Sequence, residues 1–160
     1  MSASTHRVVV SPEDRVEIVD ALYRFGAGQD LGDRALFESA FSATATLDFT
    51  GPALRLGATI PVFEGRQAIA DIIFGNLDGI DTTHTITNPR ITAYNGHSAT
   101  LFALVEAQHL PSTDHTRHLL LKNIYLVELS RQDDGQWVAD HMKIDNVWMD
   151  GDPTVLFPAT

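Results

Sequence analysis

Cysteine is absent from the 160 residues of this chain. Disulfide bonds and metal sites built on thiolates are therefore excluded. Positive charge is also scarce, because 11 lysines and arginines stand against 21 aspartates and glutamates and leave a formal net charge of −10. Proteins that bind a nucleic-acid backbone or an anionic membrane surface need positive charge. We therefore expect neither nucleic acid nor a membrane as a partner.

Long apolar runs are missing as well. No segment is long enough to span a bilayer, and the N-terminal MSASTHRVVV has too short an apolar run for a secretory signal. We therefore expect a cytoplasmic protein. The chain length suits one domain with a sizeable core, which we place at residues 11–152, between an N-terminal tail, 1–10, and a C-terminal tail, 153–160.

The order of the predicted elements indicates an α+β fold. Ser11-Pro12-Glu13-Asp14 is a strong helix start, with an N-cap serine, a proline and acids in the first turn, and it opens a helix that the periodicity ends near Gly28. Helices followed by a strand meander favour helices on one side of a curved antiparallel sheet, which can enclose a pocket. The other predictions are a helix at 34–41, a strand at 43–49, a turn at 50–52, a short strand at 60–63, a helix at 66–76, and strands at 82–94, 98–110, 117–130 and 136–148.

An acid lies in an unfavourable place at the end of the first helix. Val16, Val19 and Tyr23 follow one another at helical spacing on one predicted face, and the progression continues through Gly26 to Asp30. Burial disfavours the charged form of a carboxyl group, and the C-terminal end of a helix carries partial negative charge. Asp30 therefore needs a partner, for which a histidine is the obvious candidate.

Four short motifs, taken in their order, resemble the SnoaL-like branch of the nuclear-transport-factor-2-like superfamily over roughly residues 12–152. The resemblance implies a cystatin-like α+β barrel, in which N-terminal helices pack in a curved antiparallel sheet and form a conical pocket. Within the superfamily, the chain is most similar to the group of scytalone dehydratase and hexachlorocyclohexane dehydrochlorinase. The motifs are Tyr23…Gln29-Asp30-Leu31-Gly32-Asp33, Phe63-Glu64-Gly65-Arg66, Thr83-His84-Thr85 and Asp134-Gly135-Gln136-Trp137.

The resemblance also implies a set of site residues. Asp30 and His84 match the catalytic pair of this group. His109 matches a second pocket histidine, which could act as an acid, and Asn123 matches an asparagine that holds a substrate oxygen. Two tyrosines that hold a water on the substrate carbonyl in scytalone dehydratase are replaced here, by Gln29 and Phe49.

The predicted pair suits proton abstraction. An aspartate bonded to one ring nitrogen of His84 would fix its tautomer, and the other nitrogen could then take a proton from carbon. These residues favour a cofactor-independent, dehydratase-type lyase that acts on a small, mostly apolar hydroxylated or carbonyl compound. An isomerase or cyclase, and a non-catalytic module for ligand binding or oligomerisation, remain alternatives. In a purely structural alternative, Asp30 only terminates a helix, and His84 is a strand residue whose hydrogen bonds are satisfied within the protein.

Further residues are candidates for contact with the substrate. Strand parity places His109 with apolar neighbours on one strand and Asn123 with Tyr125 on the next. The alternative is a rim histidine beside a loop for His109, a structural amide for Asn123, and core packing for Phe25, Phe49, Phe63 and Met142. The other predicted contacts are Tyr23, Phe25, Phe49, Gln29, Met142, Asn146 and Trp148, with Phe63 as a further wall residue.

Two remaining expectations concern partners. The close spacing of Asp114, His115 and His118 suggests a set of metal ligands. Residues 115 and 118 of a strand would point to opposite faces, however, so no metal site is predicted. The resemblance implies a homo-oligomer, either a dimer or a trimer, because a partner usually covers the open sheet face of this fold.

Overall fold

The chain folds into helices packed against one six-stranded sheet. In the computed structural model, which describes residues 7–157, strands of 13 to 15 residues make up most of the sheet. The helices are α1 (Pro12–Asp30), α2 (Arg34–Ser39), α3 (Thr50–Arg55) and α4 (Arg66–Asn76), and a 3₁₀ helix spans Pro153–Val155. The strands are β1 (Phe41–Asp48), β2 (Phe63–Glu64), β3 (Ile80–Tyr94), β4 (Ser98–Pro111), β5 (Leu119–Arg131) and β6 (Trp137–Gly151).

The sheet has the strand order β2-β1-β6-β5-β4-β3. Strands β3 to β6 form an antiparallel meander, and β1 joins its edge parallel to β6. Register shifts interrupt the pairing of β3 with β4 and of β5 with β6, and such bulges bend and twist a sheet. The predicted α+β fold with a curved sheet is therefore confirmed.

Helix α1 lies across the sheet, but with a different inner face from the predicted one. Val16 is 66% exposed and Tyr23 is 45% exposed, so both point away from the sheet. The buried stripe runs instead through Ile18, Leu22 and Phe25. Both sets of residues follow helical spacing, so the apolar residues on the outer side produced the same sequence pattern as a buried face.

Several predicted boundaries need correction. The first helix continues past Gly28 to Asp30, and the predicted turn at 50–52 is the start of helix α3. Asp48, the last residue of β1, stabilises this turn, because its carboxylate accepts hydrogen bonds from both the backbone N–H and the hydroxyl of Thr50. The predicted strand at 60–63 is reduced to two residues at Phe63–Glu64.

The C-terminal segment packs on the sheet as far as the structure describes it. The residues after Pro153, which the sequence predicts as a tail, form a 3₁₀ helix whose Val155 is buried against Leu119 and Leu121. Most of the predicted N-terminal tail lies outside the described residues, although Val10 packs against the main core. No helix within residues 7–157 is both long enough and apolar enough to cross a membrane.

Candidate active site

A cavity opens between α1, α4 and the inner face of the sheet. The cavity has a volume of about 710 Å³ when its opening to solvent is included. Most of the wall is apolar, which is typical of sites for small organic molecules. The predicted wall residues Phe25, Phe49 and Phe63 line it. The polar side chains on the wall are those of Gln29, Asn76, His84, His109, Asn123 and Tyr125.

Asp30 and His84 meet at the end of α1. Oδ1 of Asp30 lies 2.6 Å from Nδ1 of His84, and Oδ2 accepts a 2.7 Å hydrogen bond from the backbone N–H of the same histidine. The hydroxyl of Thr82 donates a further hydrogen bond to Oδ1. The absence of a side chain at Gly26 permits this approach, because a Cβ atom there would lie 3.1 Å from Cβ of His84.

The environment keeps Asp30 ionised. Burial alone would raise the pKa of its carboxyl group, but the hydrogen bonds from His84 and Thr82 and the electrostatic attraction of His84 outweigh burial, and the pKa is lowered. A carboxylate only accepts hydrogen bonds, so Nδ1 of His84 must carry the proton. The His84 side chain is only 3% exposed and lines the cavity. Its other nitrogen, Nε2, is consequently the one free to act as a base.

His109 lies beside His84 in the cavity, with 6.3 Å between the ring centroids. Burial, and then repulsion by His84, lower the pKa of His109 to about 4, so its imidazole is neutral at neutral pH. Its Nδ1–H donates a 3.2 Å hydrogen bond to the carbonyl of Leu119. Nε2 then carries a lone pair and no proton. This protonation state does not suit the acid role implied for His109, and it makes the residue a hydrogen-bond acceptor.

Asn123 and Tyr125 extend the polar wall along β5. Asn123 is buried, and its Nδ2 finds no hydrogen-bond partner of good geometry among residues 7–157. Tyr125 interacts with the Asn123 amide, and burial raises the pKa of its phenol far above the usual range, so the phenol stays protonated. The wall therefore offers an amide donor and a phenol near the two histidines.

Four predicted contacts lie outside the cavity. Tyr23 is on the outer side of α1, and Met142 is buried in the main core. The pairing of β5 with β6 shifts between Asn146 and Trp148, which leaves Val147 as an extra residue. This bulge reverses the strand parity, so Trp148 turns outward and is 50% exposed. Asn146 does not line the cavity and instead donates a hydrogen bond to Asn123.

Several residues of the site, some on the cavity wall and one bonded to Asp30, were absent from the sequence-based set. Tyr125 shares strand parity with Asn123, and Thr82 shares it with His84, so the period of two could have identified both. Leu156 and Phe157 also line the cavity. They follow Pro153 in a segment without periodicity, and the sequence holds no signal that would bring this segment back to the sheet.

The histidines near the end of β4 do not converge on one point. His115 contacts Asp81, and His118 contacts Asp150. No group of three or more histidine, aspartate or glutamate side chains within residues 7–157 could hold a metal ion.

Comparisons with known proteins add a family and a fold. A family model described as the SnoaL-like domain matches residues 11–143. The terrestric acid biosynthesis cluster protein E of Penicillium crustosum is 32% identical over 162 residues, which cover 95% of this chain and 96% of that protein.

Solved structures share the fold at low sequence identity. An aromatic ring hydroxylase candidate from Novosphingobium aromaticivorans has a TM-score of 0.80 at 20% identity and covers 92% of this chain and 99% of its own. A scytalone dehydratase candidate from the same organism has a TM-score of 0.73 at 16% identity, with 87% of each chain covered. A type 3 hexachlorocyclohexane dehydrochlorinase from Novosphingobium barchaimii has a TM-score of 0.71 at 18% identity, covering 87% of this chain and 90% of its own.

Proposed function

Because the chain belongs to the SnoaL-like family, we propose that its cavity is the active site of a cofactor-independent lyase of the dehydratase type. The observation that carries this proposal is the contact between Asp30 and Nδ1 of His84 inside a mostly apolar cavity. The contact supports a base on Nε2 that is shielded from water. The name of the Penicillium crustosum relative supports a small organic intermediate of a biosynthetic route as the substrate.

The proposed reaction removes water from a β-hydroxy carbonyl compound. Nε2 of His84 takes the proton from the carbon next to the carbonyl group, and Asp30 stabilises the imidazolium that forms. The electron pair of the broken C–H bond forms a carbon–carbon double bond as the carbon–oxygen bond of the hydroxyl group breaks. The imidazolium then returns its proton to the departing hydroxide, so that water leaves and His84 is neutral again.

Two further residues have roles in this scheme. The unpaired Nδ2 of Asn123 donates a hydrogen bond to the carbonyl oxygen, on which negative charge develops. Nε2 of His109 accepts a hydrogen bond from the substrate hydroxyl and holds it near His84. One N–H of the Gln29 side chain donates a 3.2 Å hydrogen bond to the carbonyl of Phe25, and its second N–H can donate to a ligand in place of the missing tyrosine hydroxyl.

An isomerase is the second candidate. The neutral state of His109 suits this reaction as well as the elimination, because His84 is the proton carrier for both steps of either reaction. In an isomerisation, His84 returns the proton to a different carbon atom and no water is lost.

The test uses 3-hydroxy-1-phenylpropan-1-one, a small β-hydroxy ketone whose dehydration gives an absorbing enone. We expect the wild-type protein to form the enone, and we expect His84→Ala and Asp30→Asn each to lose about 100-fold or more in rate. Gln132→Ala, which removes an exposed amide in the β5–β6 hairpin, is the matched control and should retain the rate. Equal rates for wild type and His84→Ala would refute the lyase proposal.

A further inference from the structure

The side-chain amide of Asn146, which does not line the cavity, donates a hydrogen bond to Oδ1 of Asn123, which does line it. We propose that Asn146 is a positioning residue, which fixes the Asn123 amide with its N–H donors toward the ligand. The cavity then selects a ligand that brings an acceptor oxygen to this point, such as the carbonyl of a ketone, an ester or a lactone. This inference rests on the proposed contact between Asn123 and the substrate.

The first observation is the unpaired donor of Asn123. The residue is 3% exposed, and its Nδ2 has no hydrogen-bond partner of good geometry among the described residues. The phenol oxygen of the nearby Tyr125 interacts with the amide, but this contact lacks the geometry of a hydrogen bond. A buried donor without an acceptor costs about 1–3 kcal/mol, so a ligand oxygen that accepts from Nδ2 of Asn123 would contribute to binding.

The second observation is that the orientation of Asn146 is fixed on both sides. Its Nδ2 lies 3.0 Å from the carbonyl oxygen of Trp148 and 3.4 Å from that of Lys122. Its Oδ1 accepts a 3.3 Å hydrogen bond from the guanidinium group of Arg55. Exchange of the two amide atoms would place an oxygen against two carbonyl oxygens and a nitrogen against a cation. The structure therefore permits one orientation of this amide.

The hydrogen bond from Asn146 sets the orientation of the Asn123 amide. Nδ2 of Asn146 donates to Oδ1 of Asn123 over 2.9 Å. A rotated Asn123 would face this donor with its own N–H groups, and both donors would lose the bond. Oδ1 of Asn123 consequently stays toward Asn146, and Nδ2 stays toward the cavity.

The bulge on β6 creates this arrangement. Asn123 pairs with Asn146 while the preceding Lys122 pairs with Trp148, so Val147 has no partner on β5. The extra residue brings the carbonyl groups of Lys122 and Trp148 within reach of one amide nitrogen. Arg55, at the end of α3, also donates to the carbonyl of Val147 and so holds the bulge and the amide together.

The test compares the binding of two probes of similar size, acetophenone and ethylbenzene, by NMR titration. Acetophenone carries a carbonyl acceptor and ethylbenzene carries none. In the wild type, we expect acetophenone to bind about 5-fold more tightly than ethylbenzene, the ratio that one hydrogen bond supplies. In Asn146→Ala, the Asn123 amide can rotate, and the preference should fall below about 2-fold. Gln132→Ala should keep the wild-type ratio, because this amide is far from the cavity in the hairpin.

The ratio of the two affinities separates positioning from a merely structural role, because a loss of packing would weaken both probes together. An unchanged ratio in Asn146→Ala, or no preference in the wild type, would overturn the inference. If Asn146→Ala does not fold, nuclear Overhauser contacts in the wild type decide. They should join the Asn123 amide protons to the acetophenone methyl group, and their absence would also overturn the inference. The lyase proposal fails separately, through enone formation that does not depend on His84.

Discussion

The neutral His109 makes the stability of the protein depend on pH. A free histidine has a pKa near 6.5, whereas burial and the neighbouring His84 lower the pKa of folded His109 to about 4. Between these values the unfolded state binds a proton that the folded state does not bind. The free energy of unfolding should therefore fall as the pH drops from about 6.5 to about 4, by up to about 3 kcal/mol.

The variant His109→Gln should remove this dependence. Its free energy of unfolding, measured in urea at several pH values, should change less than that of the wild type between pH 6.5 and 4. Because other groups titrate in the same range, the quantity to compare is the difference between the two proteins. The same slope in both would show that His109 is already protonated in the fold near pH 6.

At the scale of elements, helix α1 approaches helix α2 closely at Gly28. A Cβ atom at Gly28 would lie 2.5 Å from the backbone nitrogen of Phe37, so Gly28→Ala must force the two helices apart. We expect a loss of about 2 kcal/mol or more in the free energy of unfolding, measured in urea. Gly75→Ala in α4 is the matched control, since a Cβ atom there meets nothing within 4 Å. The control should be neutral or stabilising by up to about 1 kcal/mol.

The position of Gly28 also bears on the site, because Asp30 follows it by two residues. If Gly28→Ala were as stable as the Gly75→Ala control, the close contact between α1 and α2 would not exist as described. The end of α1 would then not be held by α2, and the placement of Asp30 would need another explanation.

At this scale, sequence reasoning works where a pattern repeats without interruption. Strand parity along β4 and β5 placed His109 and Asn123 on the inner face correctly, because the burial of both strands alternates throughout. The prediction from strand parity was wrong at Trp148, because the extra residue Val147 moves the later side chains of β6 to the opposite face of the sheet. Nothing in the sequence marks this bulge. Helix periodicity failed at Tyr23 because apolar residues on the outer side of α1 produced a second stripe of equal spacing.

The outer face of the sheet carries a group of apolar side chains on β4 and β5. These side chains are half-buried and alternate along the strands with core residues, so they point away from the core. They are Phe102 and Leu104 on β4, and Ile124 and Leu126 on β5. We propose that a second copy of the chain covers this face. In the middle of the face, Glu106 and Lys122 form an ion pair.

Substitution of one residue on this face tests the assembly. Ile124→Glu would place a charge in the proposed interface, and light scattering after size exclusion should show a shift to monomer. Val16→Glu is the matched control, because Val16 is exposed on the outer side of α1. It should leave the mass unchanged. A wild-type protein that is monomeric at tens of micromolar would contradict the proposal.

The resemblance of four short motifs was sufficient for the fold and for the meeting of Asp30 with His84, because the fold brings helix α1 against β3. The resemblance was not sufficient to predict the protonation state of His109, which depends on burial and on the carbonyl of Leu119. It also gave no indication that the segment after Pro153 closes part of the cavity. Such features arise from distant parts of the chain that meet only in the fold.

The proposed reaction begins when Nε2 of His84 removes a proton from carbon. The most direct measurement follows the methyl protons of acetophenone in D₂O by NMR, because these protons lie next to a carbonyl group and exchange slowly without a catalyst. The wild-type protein should accelerate their replacement by deuterium about 100-fold or more over His84→Ala, while Gln132→Ala should match the wild type. Equal exchange rates for wild type and His84→Ala would contradict the account.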